Sequence, residues 1–322
     1  MTMFDAIPSL DLHDFIHGTQ DSKAKFVADL GKAFHEIGFV AIKNHGLTDE
    51  QTKKLYDVFK KFFAMDDAYK STCEIPGLAG QRGYTGKRKE HAKGQNVADL
   101  KEFYQIGQPD KPKEAHLQKE YPDNVWPSNP KDMDTISLEV YKTLENTGIQ
   151  LLRAIAIYLR LEDHYFDAKV LQGNSILRAI HYFPILDIEE IKKGAIRAGE
   201  HEDINLITLL MGASADGLEI LRNDGKWIAV TSLPEQIVVN VGDMLSRLTN
   251  DTLKSTTHRV VNPKNEKLGT SRFSMPFFMH PRADMDLSCL PGCVTVQNPK
   301  KYTDITAGAF LDQRLREIGL KK

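Results

Sequence analysis

Between Ser175 and Met279 the chain breaks into short apolar runs divided by turn residues: Ile176–Phe183, Ile204–Leu210, Leu218–Leu221, Trp227–Val230, Ile237–Val241, Thr257–Val261 and Ser271–Met279. Runs this short, recurring about every ten residues, carry the pattern of an all-β sandwich or barrel. Asn223-Asp224-Gly225 predicts a hairpin turn between two of them. The preceding half of the chain has a different texture. Phe26, Val27, Leu30, Ala33, Phe34 and Ile37 recur at helical spacing within Lys23–Ile37, which Gly38 ends. Thr48, with Gln51 three residues on, predicts the start of a helix running to Phe63. Its stripe of Tyr56, Phe59, Phe62 and Phe63 is read as core. A third helix is expected over about Pro130–Leu161, entered through the proline-rich Tyr121–Pro130. Ala6–Leu12 and Phe39–Ile42 are expected strands, and Gly77–Gly107 is read as a long loop. The fold expected is mainly β with flanking helices: a mixed region over 1–170, a β core over 171–285, and a C-terminal segment over 286–322 whose helix, Ala307–Ile318, would cover the mouth of the barrel.

Three points in that β core carry chemistry. On an extended backbone, side chains two residues apart share a face, so His201 and Asp203 would project together while Glu202 points away. An imidazole and a carboxylate aimed at one point, joined by His258 from another strand, make the two-histidine, one-carboxylate set expected of a non-haem Fe(II) oxygenase. On the last strand Arg272, Ser274 and Pro276 share one face, and Phe273, Met275 and Phe277 the other. A guanidinium fork and a hydroxyl side by side suit a carboxylate. If that face is buried, an anion has to sit there, because an unpaired buried charge is expensive. If it is exposed, Arg272 pairs with a surface acid instead.

Order and spacing join these points. His258 follows Asp203 by 55 residues (258 − 203), and Arg272 follows His258 by 14 (272 − 258). With Val239-Asn240-Val241-Gly242-Asp243 and Ser255-Thr256-Thr257-His258-Arg259-Val260, the chain resembles the 2-oxoglutarate/Fe(II)-dependent dioxygenases, in particular their isopenicillin N synthase-like branch. The likeness extends to the glycine-aromatic strand and the Asn44-His45-Gly46 turn, where His45 is a turn residue and not a ligand. It implies a double-stranded β-helix, the cupin-like jelly roll, with Fe(II) on His201, Asp203 and His258. It further implies that Arg272 and Ser274 bind the distal carboxylate of 2-oxoglutarate, joined by Tyr182 of Ile180-His181-Tyr182-Phe183-Pro184. Ile180 stands where the family often has asparagine, and Phe183 separates the tyrosine from its proline. His181 would point away from Tyr182 as a structural histidine. Asn240 is a candidate neighbour of the ligands or of substrate, and Asp243 a turn-stabilising acceptor. Gln81-Arg82-Gly83-Tyr84 and Asp99-Leu100-Lys101-Glu102 resemble loop motifs of the family's substrate side. Arg82 and Tyr84 are therefore either substrate contacts or parts of a packed turn.

The implied reaction consumes 2-oxoglutarate and O2, releases succinate and CO2, and hydroxylates, desaturates or cyclises a small molecule. Two rivals share these residues. One is a 2-oxoglutarate-independent oxidase of the isopenicillin N synthase or aminocyclopropane-carboxylate oxidase type, which turns the Arg-x-Ser motif on its own substrate. The other is a non-catalytic metal-binding sensor, which a missing ligand would have favoured. A formal net charge of −2 argues against nucleic-acid binding by bulk electrostatics, and Lys87-Arg88-Lys89 is read as a solvated loop. No apolar stretch reaches the ~18 residues of a membrane span, and the start shows no signal-peptide pattern. Three cysteines, Cys73, Cys289 and Cys293, are too few and too oddly spaced for a disulfide framework. A cytoplasmic protein acting on a small molecule is expected, and the sequence is silent on its oligomeric state.

Overall fold

The structure is a computed structural model. It describes residues 6–317 apart from 79, 88, 90–99, 119, 186–196, 213–216, 231–234 and 263–267. Arg88 and Asp99 of the sequence motifs, and Ile318 of the C-terminal helix, lie outside the described residues.

Twelve strands are found among these residues: β1 (Ser9–Asp11), β2 (Phe39–Lys43), β3 (Gly83–Thr85), β4 (Lys101–Gly107), β5 (Ile176–Tyr182), β6 (Ala198–His201), β7 (Ile207–Met211), β8 (Leu218–Leu221), β9 (Trp227–Ala229), β10 (Ile237–Val241), β11 (His258–Val260) and β12 (Arg272–Met279). They build an eight-stranded sheet in the order β1-β2-β10-β7-β12-β5-β4-β3 and a four-stranded sheet in the order β6-β11-β8-β9. The small sheet supplies the histidines and the large one the arginine and hydroxyl. The turn at Asn223-Asp224-Gly225 joins β8 to β9, as expected, with Gly225 at φ +81°.

One face of the large sheet packs under helices. Gln20–Glu36, Asp49–Phe63 and Met133–Tyr158 bury Phe34, Phe59, Phe62, Leu144 and Leu152 against Leu177, Leu209, Val239, Phe277 and Met279 of the strands. Each fully buried Phe or Leu contributes about 1.5–3 kcal/mol. The capping box read at Thr48 is present: its hydroxyl accepts from Gln51 N–H, and the Gln51 side chain accepts from Thr48 N–H. Gly38 follows the first of these helices at φ +74°. An added Cβ there would lie 2.4 Å from the Lys254 carbonyl oxygen, so glycine is required for both reasons.

Helix-to-helix contact is just as close at Gly31, where a Cβ would lie 2.0 Å from the Tyr158 ring. Gly to Ala inside a helix ordinarily stabilises, because alanine loses less backbone freedom. Here the ring has to move, and we expect Gly31→Ala to destabilise by about 1–3 kcal/mol. A thermal melt with an unchanged or raised midpoint would show that the Tyr158 ring yields without penalty.

Three readings are corrected. Gly77–Gly107 is not one long loop: it contains β3 and β4, and β4 pairs along its whole length with β5. Lys101 and Glu102 hid the strand, whose paired residues lie 69 (176 − 107) to 81 (182 − 101) positions downstream. Asp243 is not a turn residue but the first residue of a helix, Asp243–Leu248. The long helix is shorter at both ends than expected, Met133–Tyr158.

Candidate active site

Strand alternation determines what faces the space between the sheets. On β5 these are Arg178, Ile180 and Tyr182; on β12, Arg272, Ser274, Pro276 and Phe278; on β7, Thr208 and Leu210. They line one cavity with His201, Asp203, Asn240 and His258, while Phe39, Lys101, Ala198, Leu218 and Val260 complete its wall. Seven of the nine site residues named from the sequence therefore meet in a single cavity.

His201, Asp203 and His258 each offer one ligand atom, and the three atoms lie within 4.8 Å of one another. His201 ends β6 directly opposite His258 on β11. Asp203 lies beyond the strand, where its carbonyl accepts from Asp243 N–H at 2.7 Å. The surroundings orient each donor. His201 Nδ1 is 2.7 Å from Gly199 O, and His258 Nδ1 is 3.1 Å from Thr256 O. A carbonyl only accepts, so both Nδ1 atoms carry the proton and both Nε2 atoms present lone pairs, the arrangement of metal-binding histidines. Asp203 Oδ2 accepts from Thr208 Oγ1 at 2.6 Å and Asn240 Nδ2 at 2.8 Å. Its Oδ1 lies 3.8 Å from His258 Nε2. Phe39 packs edge-on against His258, ring centroids 5.5 Å apart.

Burial, aided by the His258 charge, pulls the His201 imidazole down to about 4, so it is neutral and able to ligate at neutral pH. Burial alone would raise the Asp203 carboxyl. The two imidazoles and the hydrogen bonds from Asn240 and Thr208 outweigh it, and the carboxyl is held below its usual range. Two imidazole nitrogens and one carboxylate oxygen, each fixed from behind, fit a divalent transition metal.

Arg272 is 1% exposed, which removes the reading of a surface ion pair. Its guanidinium carbon lies 5.0 Å from the centre of the Tyr182 ring, directly across the ladder, and Ser274 stands opposite Ile180. Sequence reasoning missed Arg197, also 1% exposed, whose Nη2 donates to Thr270 O at 2.7 Å. Burial and then the Arg272 charge lower its pKa. Two buried guanidiniums that repel one another create the positive potential an anion relieves. Lys101, from a motif read as lying on the substrate side, does reach the cavity; Thr208, Phe278 and Arg178 were also missed. The last shares a face with Tyr182 by the period of two, a signal present in the sequence.

Arg82 and Tyr84 are not brought to the cavity. Arg82 is buried, donating to Gln81 O at 2.7 Å and Asn174 Oδ1 at 3.1 Å, and burial pulls its pKa down to about 10. Tyr84 donates to Glu102 Oε2 at 2.5 Å, on the opposite side of the large sheet. Glu102 also takes Lys70 Nζ at 2.8 Å and His181 Nδ1 at 2.7 Å, and His181 Nε2 lies 2.9 Å from Ser271 Oγ. His181 is thus the structural histidine expected, stacked on Phe273 at 4.7 Å and 9°. The network joins β3, β4 and β5 to Ser271, the residue before Arg272. Lys70 and Glu102 are 3% and 0% exposed at their side chains. We expect Glu102→Gln to destabilise by about 3–5 kcal/mol, the effect of leaving a buried charge without its partner. Denaturant midpoints measure it, and a change under 1 kcal/mol would show the ammonium resolvated. Asn240 holds Asp203, and His45, which takes Leu47 N–H on Nδ1 at 3.3 Å, is no part of the site.

Known proteins share this arrangement. The model of the non-haem dioxygenase in morphine synthesis N-terminal family matches residues 7–129, and that of the 2OG-Fe(II) oxygenase superfamily matches 173–281. A 2-oxoglutarate-Fe(II) type oxidoreductase of Emericella nidulans, hxnY, is 31% identical over 98% of this chain and 93% of its own length. A 2OG-Fe(II) oxygenase family protein from Caulobacter crescentus, known by crystal structure, is 39% identical with TM-score 0.86, covering 97% of this chain and 99% of its own. The full-length Neurospora crassa protein crystallised with alpha-KG and 5-formyluracil is 31% identical with TM-score 0.84, covering 96% and 95%. These likenesses support 2-oxoglutarate use over the oxidase and sensor alternatives. Their fold is the double-stranded β-helix, which the two facing sheets here form. A metal-ready triad facing a buried arginine, inside a fold shared along nearly the whole chain with such enzymes, leads to one conclusion: the protein belongs to the 2OG-Fe(II) oxygenase superfamily, oxidoreductases that use Fe(II), 2-oxoglutarate and O2.

Proposed function

We propose that His201, Asp203 and His258 hold Fe(II), and that Arg272, Ser274 and Tyr182 hold the distal carboxylate of 2-oxoglutarate. The substrate is a small molecule, oxidised at a C–H bond in the same cavity. The observation that carries this reading is the meeting of all six side chains on one cavity wall. The metal, when bound, supplies oxygen activation coupled to decarboxylation of the 2-oxo acid. For hydroxylation the balance is substrate, 2-oxoglutarate and O2 to alcohol, succinate and CO2. The chain's own residues do the rest. Arg272 fixes one end of the co-substrate, and Arg197 adds positive potential behind it. Ile180, Leu218 and Val260 line the space between with apolar surface that keeps water out.

Finer readings follow the same support. Residues 1–170 brace the site, 171–285 carry it, and 286–322 cover it; Arg314 of the Ala307–Glu317 helix pairs with Asp243 at 3.1 Å, beside the ligand Asp203. The Arg-x-Ser strand and the N-terminal family match favour the isopenicillin N synthase-like branch. Three buried, unpaired cysteines favour the reducing cytoplasm, and no helix among the described residues is long and apolar enough to cross a membrane. Structural neighbours were solved with thymine and with JA, small molecules both.

The test is anaerobic titration of Fe(II)-loaded protein with 2-oxoglutarate, followed by air. A weak visible charge-transfer band and then succinate in the quench support the reading. Iron binding with neither band nor succinate would end it.

A further inference from the structure

Asp203 is placed differently from the two histidines. His201 and His258 face one another across a strand ladder, whereas Asp203 stands past the end of β6, in the segment that leads to β7. The helix Asp243–Leu248 holds that segment. Gly242 N–H donates to Leu206 O at 2.9 Å, and Asp243 N–H to Asp203 O at 2.7 Å. Met244 N–H is shared between Asn205 O at 3.1 Å and Ile204 O at 3.2 Å. Four consecutive carbonyls of the ligand segment therefore meet three consecutive N–H groups. The position of this one turn sets where the Asp203 backbone lies, and Thr208 and Asn240 then aim its carboxylate.

The C-terminal segment holds the same helix from the other side. Arg314 Nη2 pairs with Asp243 Oδ2 at 3.1 Å, and Arg314 Nη1 with Glu317 Oε2 at 2.8 Å. The Arg314 and Asp243 side chains are 16% and 19% exposed, so solvent and salt screen this pair less than a surface one. One turn further on, Arg247 donates to Thr303 O. Its guanidinium carbon lies 4.9 Å from the centre of the Tyr302 ring and 5.5 Å from that of Phe310, a residue of the C-terminal helix. Leu290 N–H closes the end of the short helix on Leu248 O at 2.8 Å. The short helix is thus clamped between the C-terminal segment and the backbone of a metal ligand.

We infer that Arg314 is a positioning residue: by fixing Asp243 it fixes the Asp203 backbone, so that docking of the C-terminal helix helps set the affinity of the metal site. The inference rests on the assignment of the metal ligands made above. It gives the C-terminal helix a role in metal binding in addition to covering the cavity.

The experiment titrates full-length protein, stripped of metal, with Co(II), read by calorimetry and by the visible ligand-field band. Loss of a partner that orients a ligand weakens metal affinity about 10–100-fold, and Arg314 acts one residue further out, so Arg314→Ala should raise the Co(II) Kd about tenfold and shift the band. Arg314→Lys keeps a charge for Asp243 and should restore part of the affinity. Asp243→Asn keeps the N–H to Asp203 but loses the ion pair, and should match Arg314→Ala. The double variant should bind like either single one, because both remove the same link, whereas independent losses of stability would multiply. Arg316→Ala, on the same helix but paired with Asp312, should bind as the wild type does. An unchanged Kd and band in Arg314→Ala, losses that multiply in the double variant, or an equal loss in Arg316→Ala each overturns the inference. If Arg314→Ala fails to fold, Asp243→Asn decides alone, and an unchanged Kd there overturns it. Failure of the wild type to bind Co(II), or binding by His201→Ala as tight as the wild type's, would instead defeat the ligand assignment itself.

Discussion

His201→Ala is expected to lose bound iron on desalting, to show no charge-transfer band with 2-oxoglutarate, and to form no succinate above background. Disturbing only the partner that orients a metal ligand weakens affinity about 10–100-fold, and removing a ligand outright should exceed that. The fold should survive. In the metal-free protein His201 is a half-buried imidazole facing a second one, a pairing that desolvation and the His258 charge make unfavourable to ionise. Its removal takes away no core contact, so the apo melting midpoint should hold or rise. Iron quantification by chelator absorbance and a thermal melt distinguish the outcomes. Retention of iron and band by the variant would mean that His201 is not a ligand.

Arg272→Ala is the second large effect, and it should fall on the co-substrate. Truncating one partner of a buried, hydrogen-bonded charge pair costs about 2–5 kcal/mol, which at roughly 1.4 kcal/mol per tenfold raises the 2-oxoglutarate Kd a hundredfold or so. Iron should still bind, because Arg272 lies on β12 and the ligands come from β6, β11 and the segment after β6. Removal of Arg272 also lifts the electrostatic pressure on Arg197, which burial and Arg272 together hold below its usual pKa. Arg197 should then supply part of the lost attraction, and the double variant Arg197→Ala/Arg272→Ala should bind more weakly than either single one. An unchanged 2-oxoglutarate Kd in Arg272→Ala would place the distal carboxylate elsewhere.

Local chemistry made much of this protein legible before its structure. The capping box at Thr48 and Gln51, the hairpin at Asn223-Asp224-Gly225 and the two faces of β12 each depend on residues adjacent in the chain, so sequence spacing alone expresses them. The triad was legible for the same reason on one side: His201 and Asp203 are two apart. It was not a strand geometry throughout, since Asp203 lies past the end of β6 and is placed by the tie between its carbonyl and Asp243 N–H.

The misreadings have a common cause. Tyr84 and Glu102 stand in motifs that resemble a substrate side, yet strand pairing turns both to the opposite face, where they meet Lys70 and His181. One residue of register decides between cavity and core, and the register of β4 is fixed by β5, with paired residues 69 (176 − 107) to 81 (182 − 101) positions apart.

The sequence by itself determined most of the element types, the proposed metal donors and the arginine-serine face, because a period of two or 3.6 and a short list of donor chemistries are properties of neighbouring residues. Only the tertiary structure decided which side of the large sheet each β4 residue faces, that Arg197 stands near Arg272, and that Arg178 lines the same cavity as Asp203. Those facts depend on which distant strands pair and in what register, and burial fixes that only when the whole chain closes around one core.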